Sequence, residues 1–408
     1  MPLSGFWIRK TGVFIRRLFI GLVTGLITGV ICAFIAKSIS FVSSLRELYP
    51  HLVYLLPLGG ACIVFIYGIK SDRDDRGANL VLENVRDGSP LPLHKIPEVY
   101  CATILSHLLG ASVGRFGAGL QISGILSNHL ARFFHLSQDD CRIATTCGMG
   151  GAFSVMFSSP LAGAFFGMEV PHIGRFHYPS LLPSMVSALS AFLTAQALGM
   201  KPFTLISSQL PLFTPRMFVF AFVLSLLGAL LSVLYCRLLR FAGSLHKHYA
   251  DHPYIRTLLC SLLFVLLYVI LASERTGGDY YHGSGLDLIP LAVAGNLPRY
   301  AFALKILFCT ISVAGGFKGG EIGPALFSAA SFGHLFSVIT HQSPALCAGI
   351  MMSAMMTGIT NCPVTALFFS LSLYGYHGAP FWLIGVVIGY ACSGAGSLYA
   401  TQRLEHAK

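Results

Sequence analysis

Two glycine-rich segments carry the residues with the clearest chemical potential. Residues 114–119 are Gly-Arg-Phe-Gly-Ala-Gly, and residues 319–324 are Gly-Gly-Glu-Ile-Gly-Pro. Each segment lies where one apolar stretch ends and another begins, so its glycines let the backbone turn and expose amide groups at the start of a helix. The start of a helix carries the positive pole of the helix dipole and attracts anions. We therefore predict an anion-binding helix start at each segment, although a plain helix–helix corner is the alternative.

A second short motif follows each glycine-rich segment. Residues 160–166 (Pro-Leu-Ala-Gly-Ala-Phe-Phe) resemble residues 363–369 (Pro-Val-Thr-Ala-Leu-Phe-Phe), and they follow the glycine segments after 46 (160 − 114) and 44 (363 − 319) residues. Two motifs in the same order at matching intervals predict two homologous halves, about 18–200 and 215–402. Membrane repeats of this kind place a substrate site at their interface, near the bilayer midplane.

Membrane helices must position these turns. Hydrophobic residues make up 54% of the 408 residues and charged residues only 11%, whereas soluble proteins have about 25% charged residues. This excludes a soluble enzyme, a nucleic-acid-binding protein and a disordered scaffold. Apolar segments recur along the whole chain, and some, such as 161–170 and 364–373, are shorter than the ~20 helical residues that span a bilayer. The pattern predicts an all-α polytopic membrane protein with tilted and broken helices.

The N-terminal region predicts how the chain sits in the membrane. Four basic residues, Arg9, Lys10, Arg16 and Arg17, precede the apolar run Leu18–Ile35. We interpret this run as the first membrane helix and not as a cleaved signal peptide, because no small-residue cleavage site follows it. Its basic end predicts a cytoplasmic N-terminus in the cell membrane. The net charge of +11 then indicates contact with anionic lipid and not with nucleic acid.

The sequence motifs resemble those of the CLC family of anion channels and transporters, and more narrowly of its fluoride-exporting branch. Residues 114–118 stand where the family has G-R-E-G-P or, in this branch, G-R-E-G-T. Residues 319–324 resemble the branch's G-G-E-V-T-P, where chloride members have G-x-F-x-P. Three further segments match in family order, so the resemblance covers almost the whole chain; they are 77–83, 159–169 and 393–399.

The resemblance implies a homodimer in the lipid bilayer, with two inverted halves and one anion pathway in each subunit. Carried over position by position, Tyr399 would bind the anion through its hydroxyl, as a phenol donor can without a fixed charge. An interfacial aromatic residue is the alternative for Tyr399. Glu321 is either a functional intramembrane acid or an acid that stabilises a helix dipole. The predicted path residues are Ala78, Asn79, Arg115, Phe116, Gly117, Gly320, Glu321, Ile322, Gly323 and Tyr399.

The sequence departs from the family pattern at the predicted site. The family's gating glutamate falls at Phe116, which cannot be protonated. The threonine of the branch is Gly323 here, and its bulky residue beside Asn79 is Ala78. Loss of the gating acid goes with passive conduction in this family, so we predict channel-like movement of chloride or fluoride. Proton-coupled fluoride export is the alternative, and the Phe116 ring could also close the path by dewetting.

Other residues support no further chemistry. An intramembrane enzyme using Glu321 and a histidine is a third hypothesis, but the sequence has too few polar residues for it, and we predict no catalytic residue. The histidines complete no cluster with metal-ligand spacing, so neither a metal nor a cofactor is predicted. Lys305 and Lys318 are expected to extend their ammonium groups towards water. The chain ends shortly after Tyr399, from which we expect no cytoplasmic regulatory domain.

Overall fold

Helices build most of the computed structural model, which describes residues 3–69, 76–205, 210–249, 252–271 and 278–404. The helices before residue 200 are α1 (Leu3–Leu48), α2 (Leu56–Gly68), α3 (Ala78–Asp87), α4 (Lys95–Leu108), α5 (Phe116–Phe133), α6 (Gln138–Phe157), α7 (Pro160–Glu169) and α8 (Leu181–Ala197). The later helices are α9 (Pro215–His248), α10 (Pro253–Leu271), α11 (Ile289–Val293), α12 (Ala301–Ala314), α13 (Ile322–Thr340), α14 (Pro344–Thr360), α15 (Pro363–Tyr374) and α16 (Ala379–Cys392).

Short elements connect these helices. Five segments form 3-10 helices: Pro50–Leu55, Tyr178–Ser180, Gly278–Tyr281, Leu286–Leu288 and Tyr376–Gly378. Two short strands, β1 (His172–Ile173) and β2 (Arg403–Leu404), pair in parallel and attach the end of the described chain to the α7–α8 connection.

Six helices of the described residues are long and apolar enough to cross a membrane, and they belong to α1, α2, α8, α9, α10 and α13. Shorter apolar helices, among them α12, α14 and α15, complete the bundle. The first helix is much longer than predicted, because its apolar centre at residues 18–35 continues without a helix-breaking residue to Leu48. The apolar segment at 286–294 does not form one continuous helix. It divides into a 3-10 turn and the five-residue α11, with Pro290 near the start of α11.

The break between each pair of central helices has a local cause. Helix α6 ends at Ser158 and α14 ends at Asn361, and both residues have left-handed backbone conformations, with φ of 54° and 58°. Asparagine tolerates this conformation better than most residues, and it ends a helix. A proline then begins the next helix, Pro160 in α7 and Pro363 in α15. Proline is favoured in the first turn because its missing N–H group has no partner there.

The backbone of the first half has counterparts in the second half. Helices α5 and α13 begin 206 residues apart (322 − 116), as do α6 and α14 (344 − 138). Left-handed residues recur at the same interval, since Gly110 and His135 correspond to Gly316 and His341. Positive φ is uncommon in residues other than glycine, so the matching histidines mark the same local chain reversal after α5 and after α13.

Helices α7 and α15 join the two halves of the chain through Glu169 and a pair of aromatic rings. The rings of Phe165 and Phe368 stack with centroids 5.1 Å apart. The carboxylate of Glu169, only 4% exposed, accepts hydrogen bonds from Val364 N (3.0 Å), Thr365 N (2.9 Å) and Thr365 Oγ1 (2.7 Å). It therefore satisfies amide groups at the start of α15 that have no partner within the helix.

Glu169→Ala is expected to lower the free energy of unfolding by about 3 kcal/mol, because it removes charge-assisted bonds and leaves buried donors unsatisfied. Thermal unfolding of detergent-purified protein measures this loss. The free energy of unfolding of Glu169→Gln should lie between those of the unmodified protein and of Glu169→Ala. The amide oxygen of the glutamine can still accept one or two of the bonds. Glu47→Ala, at an exposed position on α1, is the matched control. Equal melting temperatures for the Glu169→Ala and Glu47→Ala proteins would contradict the prediction.

Lys305 contradicts its sequence-based interpretation. Its side chain is fully buried, and its Nζ donates to the carbonyl oxygens of Tyr281 (3.1 Å), His282 (3.2 Å) and Gly283 (2.8 Å). Three carbonyl groups replace the water that an extended lysine would reach, so the ammonium does not need the membrane surface. Lys305 thereby fixes the 281–283 loop, which borders a cavity of the candidate site.

Candidate functional site

The two glycine-rich turns meet in the described structure. Gly114 N donates to Gly320 O, and Gly320 N donates to Gly114 O, both at 2.6 Å. Two mutual backbone hydrogen bonds thus join positions that are 206 residues apart (320 − 114). The turns lie together, as the paired motifs predict.

This crossing requires glycine on both sides. A Cβ atom on Gly114 would lie 2.8 Å from the carbonyl oxygen of Gly320, and one on Gly319 would lie 2.6 Å from that of Gly114. A Cβ atom on Gly320 would lie 2.6 Å from Gly117 N. All three contacts are with backbone atoms, which cannot swing aside as a side chain can. Glycine at these positions is therefore a steric condition for bringing the two turns into contact.

Each turn leads directly into a helix. Arg115 immediately precedes α5, which begins at Phe116, and Glu321 immediately precedes α13, which begins at Ile322. The first amide groups of a helix have no acceptor within that helix, and they carry partial positive charge. Because Gly114 and Gly320 are bonded to each other, the positive ends of α5 and α13 lie side by side. The arrangement offers an anion two helix starts without requiring a lysine or arginine at its centre.

On one side of the turns lies a cavity of about 320 Å³, which we call the Tyr399 cavity. Five of the predicted path residues line it, namely Ala78, Asn79, Gly117, Glu321 and Tyr399. Further polar residues in its lining are Arg76, Thr103, Gln121 and Lys318. Hydroxyl, amide and cationic groups therefore surround one space beside the start of α5, where they could bind a small anion.

An aromatic contact holds the side chain of Lys318 beside the Tyr399 cavity. Its Nζ lies 4.6 Å from the ring centroid of Tyr67, another lining residue, and Lys95 Nζ lies 4.9 Å from the same ring. Such cation–π contacts hold an ammonium group in place beside a ring. The sequence motifs gave no sign of Tyr67, which lies outside all of them.

On the other side of the turns lie two adjoining cavities of about 380 and 340 Å³, which we call the Arg115 cavities. Both are lined by Ser40, Arg115 and Asp287. His107 and His282 line the larger one, and each is buried to at least 95%. Arg115, predicted to line the same path as Tyr399, thus lies in a different cavity from it.

Phe116 stands in the chain between residues that line the two sets of cavities. Its neighbour Arg115 lines the Arg115 cavities, and its other neighbour Gly117 lines the Tyr399 cavity. Phe116 itself is 4% exposed, and its ring centroid lies 5.1–5.5 Å from those of Phe153, Phe157 and Phe166. These four residues, which we call the Phe116 cluster, line none of the three cavities, and we interpret them as an apolar partition between the two polar spaces.

The partition reaches Tyr399. The ring centroids of Phe166 and Tyr399 are 6.4 Å apart in an edge-to-face arrangement. Tyr399 is 7% exposed, so most of its ring packs against protein and only part of it faces the cavity. Spacing within α6 could have revealed part of this cluster, since Phe153 and Phe157 are four residues apart and share one helix face.

Besides Phe116, three of the predicted path residues line none of these cavities. Gly320 bonds to Gly114, Ile322 is 1% exposed in the core, and a Cβ atom on Gly323 would lie 2.5 Å from Ser284 Oγ. The side chain of Ile322 and the Cα of Gly323 thus contact protein. Their contribution to an anion site is limited to the backbone.

Comparison with known proteins identifies the family. A family model described as voltage gated chloride channel matches residues 59–394. The chain belongs to this family. A CLC-family relative, the "Chloride/fluoride channel protein" of Pseudomonas syringae pv. tomato, is 31% identical over 376 residues, which cover 91% of this chain and 82% of the relative. The "H(+)/Cl(-) exchange transporter ClcA" of Vibrio vulnificus is 25% identical over 279 residues, covering 63% of this chain and 57% of the relative.

Solved CLC structures show the same architecture. A "CLC-type fluoride/proton antiporter" superposes with a TM-score of 0.90 at 28% identity, covering 96% of this chain and 98% of that chain. A "slow cyanobacterial Cl-/H+ antiporter" superposes with a TM-score of 0.75 at 17% identity, covering 94% and 96%; at this identity the likeness concerns the fold alone. The prediction of an all-α polytopic CLC membrane protein is confirmed. The relatives are channels and transporters, so the hypothesis of an intramembrane enzyme is set aside.

Proposed function

We propose that the protein conducts chloride or fluoride passively across the cell membrane, along a path from the Arg115 cavities past Phe116 to the Tyr399 cavity. The position of Phe116 carries this proposal. It is the first residue of α5, its chain neighbours Arg115 and Gly117 line different polar cavities, and the CLC pattern has a gating glutamate at this position. A phenyl ring takes up no proton, so it cannot couple anion movement to proton movement.

Charge and hydrogen-bond donors along the path suit an anion. Arg115 at one cavity, and Arg76 with Lys318 at the other, raise the local anion concentration. Between them the paired helix starts of α5 and α13 supply amide groups, and the Tyr399 hydroxyl adds a neutral donor. Acidic side chains line the same cavities, since Glu47 and Asp287 accompany Arg115 and Glu321 accompanies Lys318. Partial charges and neutral donors bind an anion less tightly than a fixed cation would, so the anion can leave again.

The Phe116 cluster acts in this proposal as an apolar constriction. Four packed phenyl rings exclude water unless they move, and an anion needs an opening of that partition to pass. The edges of phenyl rings carry partial positive charge, and Phe116 meets Phe153 and Phe166 at 82° and 76°. Rotation of Phe116 would therefore turn ring edges towards a passing anion.

Proton-coupled fluoride export is the second candidate, and one observation favours it. Glu321 lines the Tyr399 cavity at the start of α13, so a titratable group does lie beside the proposed path. The solved structure that superposes with a TM-score of 0.90 is that of a fluoride/proton antiporter. In this alternative Glu321 would carry the proton that Phe116 cannot.

The assembly belongs to the same proposal. Exposed apolar residues on α8 and α16, among them Leu189, Leu193, Leu383 and Val387, suit contact with a second subunit or with lipid. We propose a homodimer whose subunits each contain two inverted repeats, supported by the 206-residue recurrence of α5 and α6 in α13 and α14. A cytoplasmic N-terminus is supported by Arg16 and Arg17, which both pair with Asp140 near the start of α6.

Flux measurements on reconstituted protein separate the two mechanisms. Under a pH gradient with equal anion on both sides, the reversal potential is expected to stay at zero, because Phe116 binds no proton. Flux should also change little between about pH 5 and 8, where perturbed carboxylates and histidines commonly titrate. Chloride and fluoride are compared in parallel, with protein-free liposomes as the control.

A reversal potential that moves with the pH gradient would establish proton coupling and overturn passive conduction. Glu321→Gln then decides which group is responsible. Loss of the shift in this variant would assign the proton to Glu321, whereas a shift that persists would place the proton elsewhere.

A further inference from the structure

The side-chain amide of Gln402 uses all of its hydrogen-bonding capacity. Its Nε2 donates to Val170 O (2.8 Å) and to Thr360 O (2.7 Å). Its Oε1 accepts from Ser397 Oγ (2.5 Å) and from Asn361 Nδ2 (3.4 Å). An amide has two N–H donors and one oxygen with two acceptor sites, and here each is engaged. A side chain held by four partners, which lie at Val170, at Thr360–Asn361 and at Ser397, has one defined position.

These bonds surround the loop that carries Tyr399. Gln402 N donates to Tyr399 O at 3.2 Å, which closes a tight turn between the two residues. Ser397 Oγ lies 3.1 Å from both the nitrogen and the carbonyl oxygen of Tyr399. The backbone of Tyr399 is thus bonded to Gln402 directly and also through Ser397.

The other two partners of Gln402 lie at helix ends. Val170 follows the last residue of α7, and Thr360 is the last residue of α14. Carbonyl groups at a helix end have no partner within the helix, so one amide satisfies an orphan carbonyl from each of two helices. Helix α7 also carries Phe166, whose ring contacts both Phe116 and Tyr399. Gln402 therefore fixes the Tyr399 loop relative to the helix that carries part of the Phe116 cluster.

Thr401 is the second attachment of this loop. Its N and Oγ1 lie 3.3 and 3.0 Å from Asn79 Oδ1, and its carbonyl oxygen accepts from Arg86 Nη1 at 2.6 Å. Thr401 thus ties the loop to α3. Gln402, in contrast, bonds the loop to the ends of α7 and α14.

We propose that Gln402 is a positioning residue that holds the Tyr399 hydroxyl at the anion path and so contributes to the choice between fluoride and chloride. This rests on the proposed function, in which Tyr399 binds the anion. A donor fixed in space favours the anion whose radius matches its distance from the paired helix starts, and a donor on a loose loop discriminates less. Gln402 touches no anion itself and acts only through Tyr399.

A double-mutant cycle tests this role. Gln402→Met keeps the length of the side chain but removes its four hydrogen bonds, and Tyr399→Phe removes the hydroxyl alone. Gln402→Met is expected to change the ratio of fluoride to chloride flux in liposomes by about fivefold. This factor corresponds to the net free energy of one hydrogen bond. In the Tyr399→Phe background the same exchange should leave the ratio unchanged. Gln196→Met is the matched control, on α8, which lends no residue to the Tyr399 cavity.

Each remaining outcome has a separate meaning. An equal change of the flux ratio in both backgrounds, or none in either, would overturn the positioning role, because a merely structural residue does not depend on the Tyr399 hydroxyl. If Gln402→Met does not fold, Ser397→Ala enters the same cycle, since it removes one contact with Gln402 and two with the backbone of Tyr399. An unchanged flux ratio in Tyr399→Phe alone would reject the proposed anion path itself, whereas a changed ratio there with no effect of Gln402→Met rejects only the positioning role.

Discussion

Phe116→Glu is expected to make anion flux strongly dependent on pH. The new carboxylate would stand at the first position of α5, beside the paired helix starts, where an anion would otherwise bind. A charged group at a helix start is stabilised by up to about 2 kcal/mol, which is roughly a thirtyfold preference. The ionised side chain should therefore block the path at high pH, and the neutral side chain should leave it at low pH, so flux rises as pH falls.

Phe116→Gln is the control for this substitution, because glutamine has nearly the same shape as glutamate and does not titrate in this range. Both variants lose the ring that contacts Phe153, Phe157 and Phe166. Both should therefore show altered basal flux, and only the glutamate variant should respond to pH. Chloride efflux from liposomes between about pH 5 and 8 measures the difference. The same pH profile in the two variants would place the titrating group outside position 116.

Gly320→Ala should abolish transport and destabilise the protein. Its methyl group would lie 2.6 Å from Gly117 N, so the turns must separate and the two mutual hydrogen bonds between Gly114 and Gly320 are lost. Overpacking of this kind, together with lost backbone bonds, costs about 3 kcal/mol. The starts of α5 and α13 would no longer lie side by side, and flux should fall by at least about tenfold, equivalent to 1.4 kcal/mol.

Gly68→Ala is the matched control, because the same methyl group would meet no atom within 4 Å. It should keep the flux and the melting temperature of the unmodified protein. Size-exclusion chromatography and thermal unfolding show whether the Gly320→Ala protein is still folded when its flux is measured. Full flux in a stable Gly320→Ala protein would mean that the contact between the turns is not needed for conduction.

The contact between the two glycine turns could be predicted because its cause is local and occurs once in each half of the sequence. Gly114 and Gly320 each stand before an apolar helix, and a proline motif follows each at a similar interval. The length of α1 was harder to predict. Leu18–Ile35 is the most apolar part of α1, but the polar residues that follow, such as Lys37 and Ser38, are also compatible with a helix, which continues to Leu48.

The surroundings of the site could not be predicted, because they come from residues that are far apart in the sequence. Phe166 meets Phe116 and Tyr399 only after α5 and α7 have both packed against α6 and the chain returns to the same place more than 200 residues later. Lys305 lies among apolar residues in sequence, and its three carbonyl partners are 22 to 24 residues away. Periodicity and motifs report on one helix or one turn, whereas these contacts depend on the tertiary packing of several.

The length of α1 has a consequence for how voltage acts on the protein. Its exposed apolar residues run from Phe14 through Phe41 to Leu48, about 50 Å along a helix, whereas the hydrocarbon core is about 30 Å thick. The helix therefore tilts or extends beyond the core, and its last turns carry Ser40 and Arg46, which line the Arg115 cavities.

The Arg115 cavities are lined by charged side chains, among them Arg46, Arg115 and Asp287, so we expect water to enter them. The Tyr399 cavity is also lined by charged side chains. An applied potential falls across the dry part of a membrane protein and not across its aqueous parts, so it should concentrate on the short stretch around Phe116. The energy of an anion that crosses this stretch would change by about 2.3 kcal/mol for each 100 mV of membrane potential. The partition of phenyl rings would then be the part of the path on which voltage acts.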